Sequence, residues 1–113
     1  MIILDTNILI DFNKIFEELK KFSEFGEPII LSATIKELER MRNRKAKLAL
    51  KLIKHYKIKI IKTEEKNADD AILKFVKKGD IVATNDIKLI KKLKSKKIKI
   101  LRMREKKYLI VQN

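Results

Sequence analysis

The sequence predicts an α/β protein: a mainly parallel sheet with helices on both faces. Two observations lead there. Short apolar runs of strand length alternate with longer stretches in which apolar residues recur at helical spacing. The chain has 113 residues, 45% of them apolar, with no linker, repeat or low-complexity segment. That suits one domain around one modest core rather than two. Strands that alternate with helices pair in parallel, because each crossover helix must pack back on the sheet.

The elements follow in order. Residues 2–4, Ile-Ile-Leu, read as a strand, and 9–25 as a helical region. Gly26-Glu27-Pro28 breaks the chain, and 29–31 is a second apolar run. A helix is expected at 35–42. Another spans 45–56, where Ala46, Ala49, Leu50 and Ile53 keep the i, i+3, i+4, i+7 spacing. Residues 58–61 form a third strand and 68–78 a helix, stopped by Lys78-Gly79-Asp80. A fourth strand at 81–84 precedes a helix at 87–94 with Leu89, Ile90 and Leu93 inward. Residues 98–101 are a fifth strand, and 108–111 an extra C-terminal one, whose exposed edge would allow pairing across a homodimer.

Composition narrows the partners. There are 29 basic residues against 15 acidic, a formal charge of +14. Lys- and Glu-rich surfaces of heat-stable proteins mix the signs, but here residues 40–62 hold ten basic side chains and no acid, and 87–104 hold nine and no acid. Such runs repel themselves and are relieved by a polyanion, so RNA or DNA is the expected partner. Aromatics make up only 6% of the chain, which favours phosphate contact over base stacking. The phosphate-contact candidates are Arg40, Arg42, Arg44 and Lys45 in the first run and Lys88, Lys91 and Lys92 in the second. The absence of cysteine excludes disulfides and thiolate zinc sites. No apolar run approaches the ~20 residues that span a bilayer, and no basic leader precedes the first apolar residues. The expectation is a cytoplasmic protein with no membrane partner.

In parallel sheets the ligand crevice lies beyond the C-terminal strand ends, and this rule sorts the carboxylates. Asp5 follows the first strand and Asp86 the fourth, so both project to one rim, although each could be a turn or helix-capping residue. Asp80 precedes its strand and belongs to the opposite rim, about 13 Å away for four residues at ~3.3 Å each. Asp69 falls on the apolar arc of its helix, between the directions of Leu73 and Val76, where an unpaired carboxylate is costly. Asp70 falls on the charged face, where it supports the helix start with Asn67 as N-cap. Glu37 and Glu39 both flank the line of Ile35, Leu38 and Met41; Thr34-x-x-Glu37 also fits a capping box. The result is Asp5, Asp69, Asp86 and one glutamate on one rim. Such carboxylates repel unless a cation sits among them, and an all-oxygen set suits Mg²⁺ or Mn²⁺.

The segments "LDTNILI", "SATIKELERM" and "ADDAILKFVKKGDIVATNDIKLIKKL" together resemble the PIN-domain nucleases, in the right order and over nearly the whole chain. "ELE" and "ADD…VATxD" are most similar to the PIN endonucleases that process ribosomal RNA precursors and to their archaeal relatives, with VapC-type toxins next. The resemblance implies a three-layer αβα sandwich whose five parallel strands run in the order 3-2-1-4-5, with residues 1–113 forming a single nuclease domain. It carries the family's acids to Asp5, Glu37, Asp69 and Asp86, with Asp5, Asp69 and Asp86 as metal ligands. The "DxxI" spacing from Asp69 to Ile72 selects Asp69 over Asp70. Asn7 and Thr84 match polar positions that orient the acids or a metal-bound water. The implied reaction is Mg²⁺- or Mn²⁺-dependent endonucleolytic cleavage of RNA. The chain is short, with no appended zinc module and little room for a substrate-selecting insertion. A toxin of this family would need a protein antitoxin to cover its site.

Other classes fit less well. "LDTNI" resembles the aspartyl-phosphate phosphatases, but Asn7 stands where their second aspartate belongs. Two glycines cannot build a dinucleotide-binding loop. His55, on a basic helix, has no catalytic partner placed near it. A non-catalytic RNA-binding subunit would use the same basic runs, but it gains nothing from a rim of repelling acids.

Overall fold

The structure is a computed structural model that describes residues 1–112. One six-stranded sheet runs in the order β3-β2-β1-β4-β5-β6. The strands are β1 (Ile2–Leu4), β2 (Pro28–Leu31), β3 (Lys59–Ile61), β4 (Ile81–Ala83), β5 (Lys99–Arg104) and β6 (Tyr108–Gln112). The first five are mutually parallel, in the order the family resemblance implies, and β6 adds antiparallel to β5. The helices are α1 (Thr6–Asp11), α2 (Ile15–Glu18), α3 (Ser32–Met41), α4 (Arg44–His55), α5 (Ala68–Phe75) and α6 (Ile87–Ser95). A 3₁₀ segment, Leu19–Phe25, continues α2. No helix among the described residues is long and apolar enough to cross a membrane.

Strand alternation feeds two cores. Ile2, Leu4, Ile30, Ile81, Ala83 and Leu101 face one side and pack with α1, α2 and α4. Ile3, Ile29, Leu31, Val82 and Ile100 face the other and pack with α5 and α6. This period of two is what a sheet buried on both faces requires. Each buried Ile or Leu contributes about 1.5–3 kcal/mol of transfer free energy.

Several boundaries differ from the sequence expectation; β5, for one, runs on from 101 to Arg104. The region 9–25 is not one helix. It starts at Thr6, because the Asp5 side chain accepts the Thr6 N–H. It breaks at Phe12, which leaves helical angles (φ −134°, ψ 89°) while its ring is buried. Helix α3 starts at Ser32 rather than 35, with Leu31 as its N-cap residue, so Thr34 lies inside the first turn and the capping-box reading of Thr34 and Glu37 fails. Helix α5 stops at Phe75: Val76 is already extended (φ −62°, ψ 141°), and the turn at Gly79 (φ +100°) comes later.

Candidate active site

Asp5 leaves β1 in extended conformation and is almost fully buried. Its Oδ1 accepts the Thr6 N–H at 2.8 Å, and its Oδ2 accepts the Thr84 hydroxyl at 2.7 Å. Burial is the main force pushing its pKa up to about 6; the Thr84 and Thr6 bonds oppose the rise, and the charges of Asp69 and Asp86 add to it. Thr84 continues β4, donating its N–H to the Leu101 carbonyl, and its hydroxyl accepts the Asp86 N–H at 3.1 Å. One fully buried hydroxyl thus ties the two strand-end aspartates together.

Asp86 is also the N-cap of α6. Its Oδ1 accepts from Lys88 N–H at 2.9 Å and Leu89 N–H at 3.3 Å, while Oδ2 has no hydrogen-bond partner among the described residues. The cap thus uses one oxygen of the carboxylate and leaves the other without a protein partner among the described residues.

Asp69 opens α5 on its half-buried side and makes no hydrogen bond among the described residues. Its pKa is raised by burial and by the charges of Asp86 and Glu37, with Lys92 pulling it back. Asp70, one residue on, is exposed and pairs with Asn67: it accepts the Asn67 amide at 2.8 Å, and its own N–H caps onto Asn67 Oδ1 at 2.8 Å. Asp80 lies at the opposite rim, accepting the Met1 amino group at 3.1 Å and the Lys77 N–H at 2.9 Å.

One carboxylate oxygen from each of Asp5, Asp69 and Asp86 lies within 4.8 Å of the others. Glu37 is half-buried and acts on Asp69 as a neighbouring charge. Glu39 is exposed and lines a separate surface concavity of ≈ 670 Å³ with Lys36, Arg40 and Arg42. The structure therefore separates two glutamates that the sequence left level. The acids have the donor set of a hard divalent cation: oxygen only, convergent, and mutually repelling without one. Asn7 Oδ1 and the Thr6 and Thr34 hydroxyls are buried without protein partners, polar atoms of the kind a bound ion's water shell would satisfy.

The basic candidates lie on different faces of the sheet. Helix α4 leads back to the start of β3, so Arg44 and Lys45 at its beginning lie toward the C-terminal end of the sheet, whereas Arg40 and Arg42, at the far end of α3 from β2, line the concavity with Lys36 and Glu39. On the other face, Lys88, Lys91 and Lys92 are exposed on α6, which starts at Asp86. An apolar hollow of ≈ 510 Å³, lined by Phe16, Leu19, Pro28, Tyr56 and Ile58 among others, opens where β2 and β3 begin, away from the acids. Sequence reasoning missed Asn85, whose side chain bonds to the β5 backbone. Its lone signal was a polar residue between two others already singled out.

Residues 2–106 match a family described as a PIN like domain. The chain is 37% identical to "Ribonuclease VapC4" of Methanocaldococcus jannaschii, over 95% of this chain and 92% of that one. It superposes on the structure of the PIN domain endonuclease Utp24 with a TM-score of 0.84 and 27% identity, covering 98% of this chain and 90% of the other. A domain of a functionally unknown protein from Methanocaldococcus jannaschii shares the fold, with a TM-score of 0.54 and 19% identity over 91% of this chain and 90% of that one.

Proposed function

The chain belongs to the PIN-like domain family, and from that premise we propose that residues 1–113 are one nuclease domain, a metal-dependent endoribonuclease acting in the cytoplasm. The observation that carries this reading is the convergence of Asp5, Asp69 and Asp86 within 4.8 Å in a chain with 29 basic residues against 15 acidic. The resemblance to a ribonuclease and to a PIN endonuclease supports it.

Asp5, Asp69 and Asp86 would hold Mg²⁺ or Mn²⁺. A divalent ion so held polarises a phosphoryl oxygen and makes an attacking water more acidic. The remaining work falls to the chain. Thr84 keeps Asp5 and Asp86 in a fixed relation through its two hydrogen bonds. Glu37, next to Asp69, is placed to take the proton from the attacking water. Asn7 Oδ1, unpartnered beside Asp5, orients that water. Arg40, Arg42, Arg44, Lys45, Lys88, Lys91 and Lys92 draw in the RNA backbone, and their contacts are to phosphate rather than to base edges. Burial, with their mutual repulsion added, raises the pKa of Asp5 and Asp69, and a cation would relieve the repulsion.

We place the RNA target among ribosomal RNA precursors, on the resemblance of the "ELE" and "ADD…VATxD" segments to the PIN endonucleases that process them. The 37% identity to "Ribonuclease VapC4" favours a second reading, a toxin with a protein antitoxin as partner. Expression in a host separates the two: growth arrest relieved by a small neighbouring gene product supports the toxin. The nuclease reading itself is tested by Mn²⁺-dependent cleavage of single-stranded and structured RNA, with Asp5→Asn as control. Cleavage by the wild type alone is expected. Equal background from both proteins would sink the reading.

A further inference from the structure

The strand β4 ends at Ala83, but its neighbour β5 runs on to Arg104. The ladder between them pairs Ile81 with Lys99, Val82 with Ile100 and Ala83 with Leu101, and the Thr84 N–H adds one more bond to Leu101. The next rung belongs to Met103. Its backbone N–H and C=O face the β4 side, where the chain has already turned toward α6. The Asn85 side chain fills that rung: Oδ1 accepts the Met103 N–H at 2.8 Å, and Nδ2 donates to the Met103 carbonyl at 3.2 Å. A primary amide offers one acceptor and a donor at the same reach, as a strand residue does.

We propose that Asn85 is a positioning residue that stands in for the missing strand residue and thereby fixes the loop carrying Asp86. This rests on the nuclease reading for its functional meaning. Three consecutive side chains anchor the loop in three directions. Thr84 binds Asp5 beyond β1, Asn85 binds β5, and Asp86 caps α6. Among these, the Asn85 bonds are the ones that reach the β5–β6 hairpin. The hairpin, where Met103 is paired with Leu109, becomes part of the scaffold of the acids rather than an appendage to the sheet. The chemistry is selective: aspartate lacks the donor for the Met103 carbonyl, and glutamine is one methylene too long.

The test is Asn85→Ala, read without RNA by amide hydrogen exchange and with RNA by steady-state cleavage. Exchange is expected to quicken at Met103 and also at Lys88 and Leu89, whose N–H groups cap onto Asp86, while β1 and β2 keep their protection. The kcat should fall by about 10- to 100-fold, as for other groups that orient metal ligands, with KM for RNA unchanged. Wild-type exchange at Lys88 and Leu89, an unchanged kcat, or a raised KM at constant kcat would overturn the proposal. If the wild type does not cleave RNA but Lys88 and Leu89 still loosen in the variant, the positioning stands and the nuclease reading falls. Should Asn85→Ala not fold, Asn85→Ser, which can keep one of the two bonds, takes the same measurements with the same outcomes.

Discussion

Asp80 and Asp86 bracket the three-residue strand β4, yet they live in opposite surroundings. At the N-terminal rim, Asp80 meets the Met1 amino group and the Lys77 N–H, so its charge is answered where it sits. At the C-terminal rim, Asp86 meets Asp5 and Asp69 within 4.8 Å, and burial makes the crowding worse. The same residue type serves as a clasp at one end and as one corner of an unbalanced cluster at the other. A carboxylate's role therefore follows from what faces it, and a bound proton or a cation would relieve the second rim.

The sharpest way to break this comparison is to neutralise one acid at each rim. Asp69→Asn should lower RNA cleavage by on the order of 10²–10³-fold, the range for removing one group that stabilises charge in the transition state. Asp80→Asn should leave cleavage intact and cost about 1 kcal/mol of stability, as partly exposed ion pairs do. Cleavage rates and thermal melts on both variants decide it, and comparable rate losses would erase the distinction between the rims.

A second test reads the cost of keeping Asp5 ionised where it is buried beside other acids, in metal-free protein. Burial above all pushes the folded pKa of Asp5 from the ordinary 3.8 up to about 6, so the folded state holds this proton more tightly. Its contribution to stability is then full below about pH 4 and lost as pH rises through about 6. Asp5→Asn escapes that loss. It should melt higher than wild type in chelator at about pH 7.5, by up to about 3 kcal/mol, and the gap should close in acid. Cleavage should fade in the wild type as pH drops below about 6, because protons compete with the metal. A variant that melts lower at both pH values would mean that burial and neighbouring charge do not disfavour the Asp5 carboxylate.

The smallest effect concerns the basic flanks. Replacing Lys88, Lys91 and Lys92 with Ala should weaken RNA binding alike for different sequences, and lower the slope of log K against log salt by about two, at about 0.7 per lost phosphate contact. Filter binding over a salt series measures it. An unchanged slope would place the RNA elsewhere on the surface.

Much of this was legible before any coordinates. The helical angle separated Asp69 from Asp70, and the structure places Asp69 half-buried among acids and Asp70 outside, bonded to Asn67. One strand crossing separated Asp80 from Asp86. Less legible was the first helical region, since the break at Phe12 comes from burying one ring and the early start from a cap by Asp5. Periodicity left Glu37 and Glu39 level, because both sit beside the apolar line, and only the family resemblance pointed to Glu37. Asn85 stayed hidden because its partner is 18 residues away and is backbone, which has no sequence signature.

The sequence by itself determined the layers and the rims. Strand alternation, helical spacing and turn residues act within a few positions, so they are written in local order. Tertiary structure decided the convergence: Asp5 and Thr84 are 79 residues apart and meet only because β1 pairs with β4. The fusion of three carboxylates into one site, the choice of Glu37, and the splice of Asn85 into β5 all follow from that sheet order. Local pattern can say which way a side chain points, but only the packed sheet says what it points at.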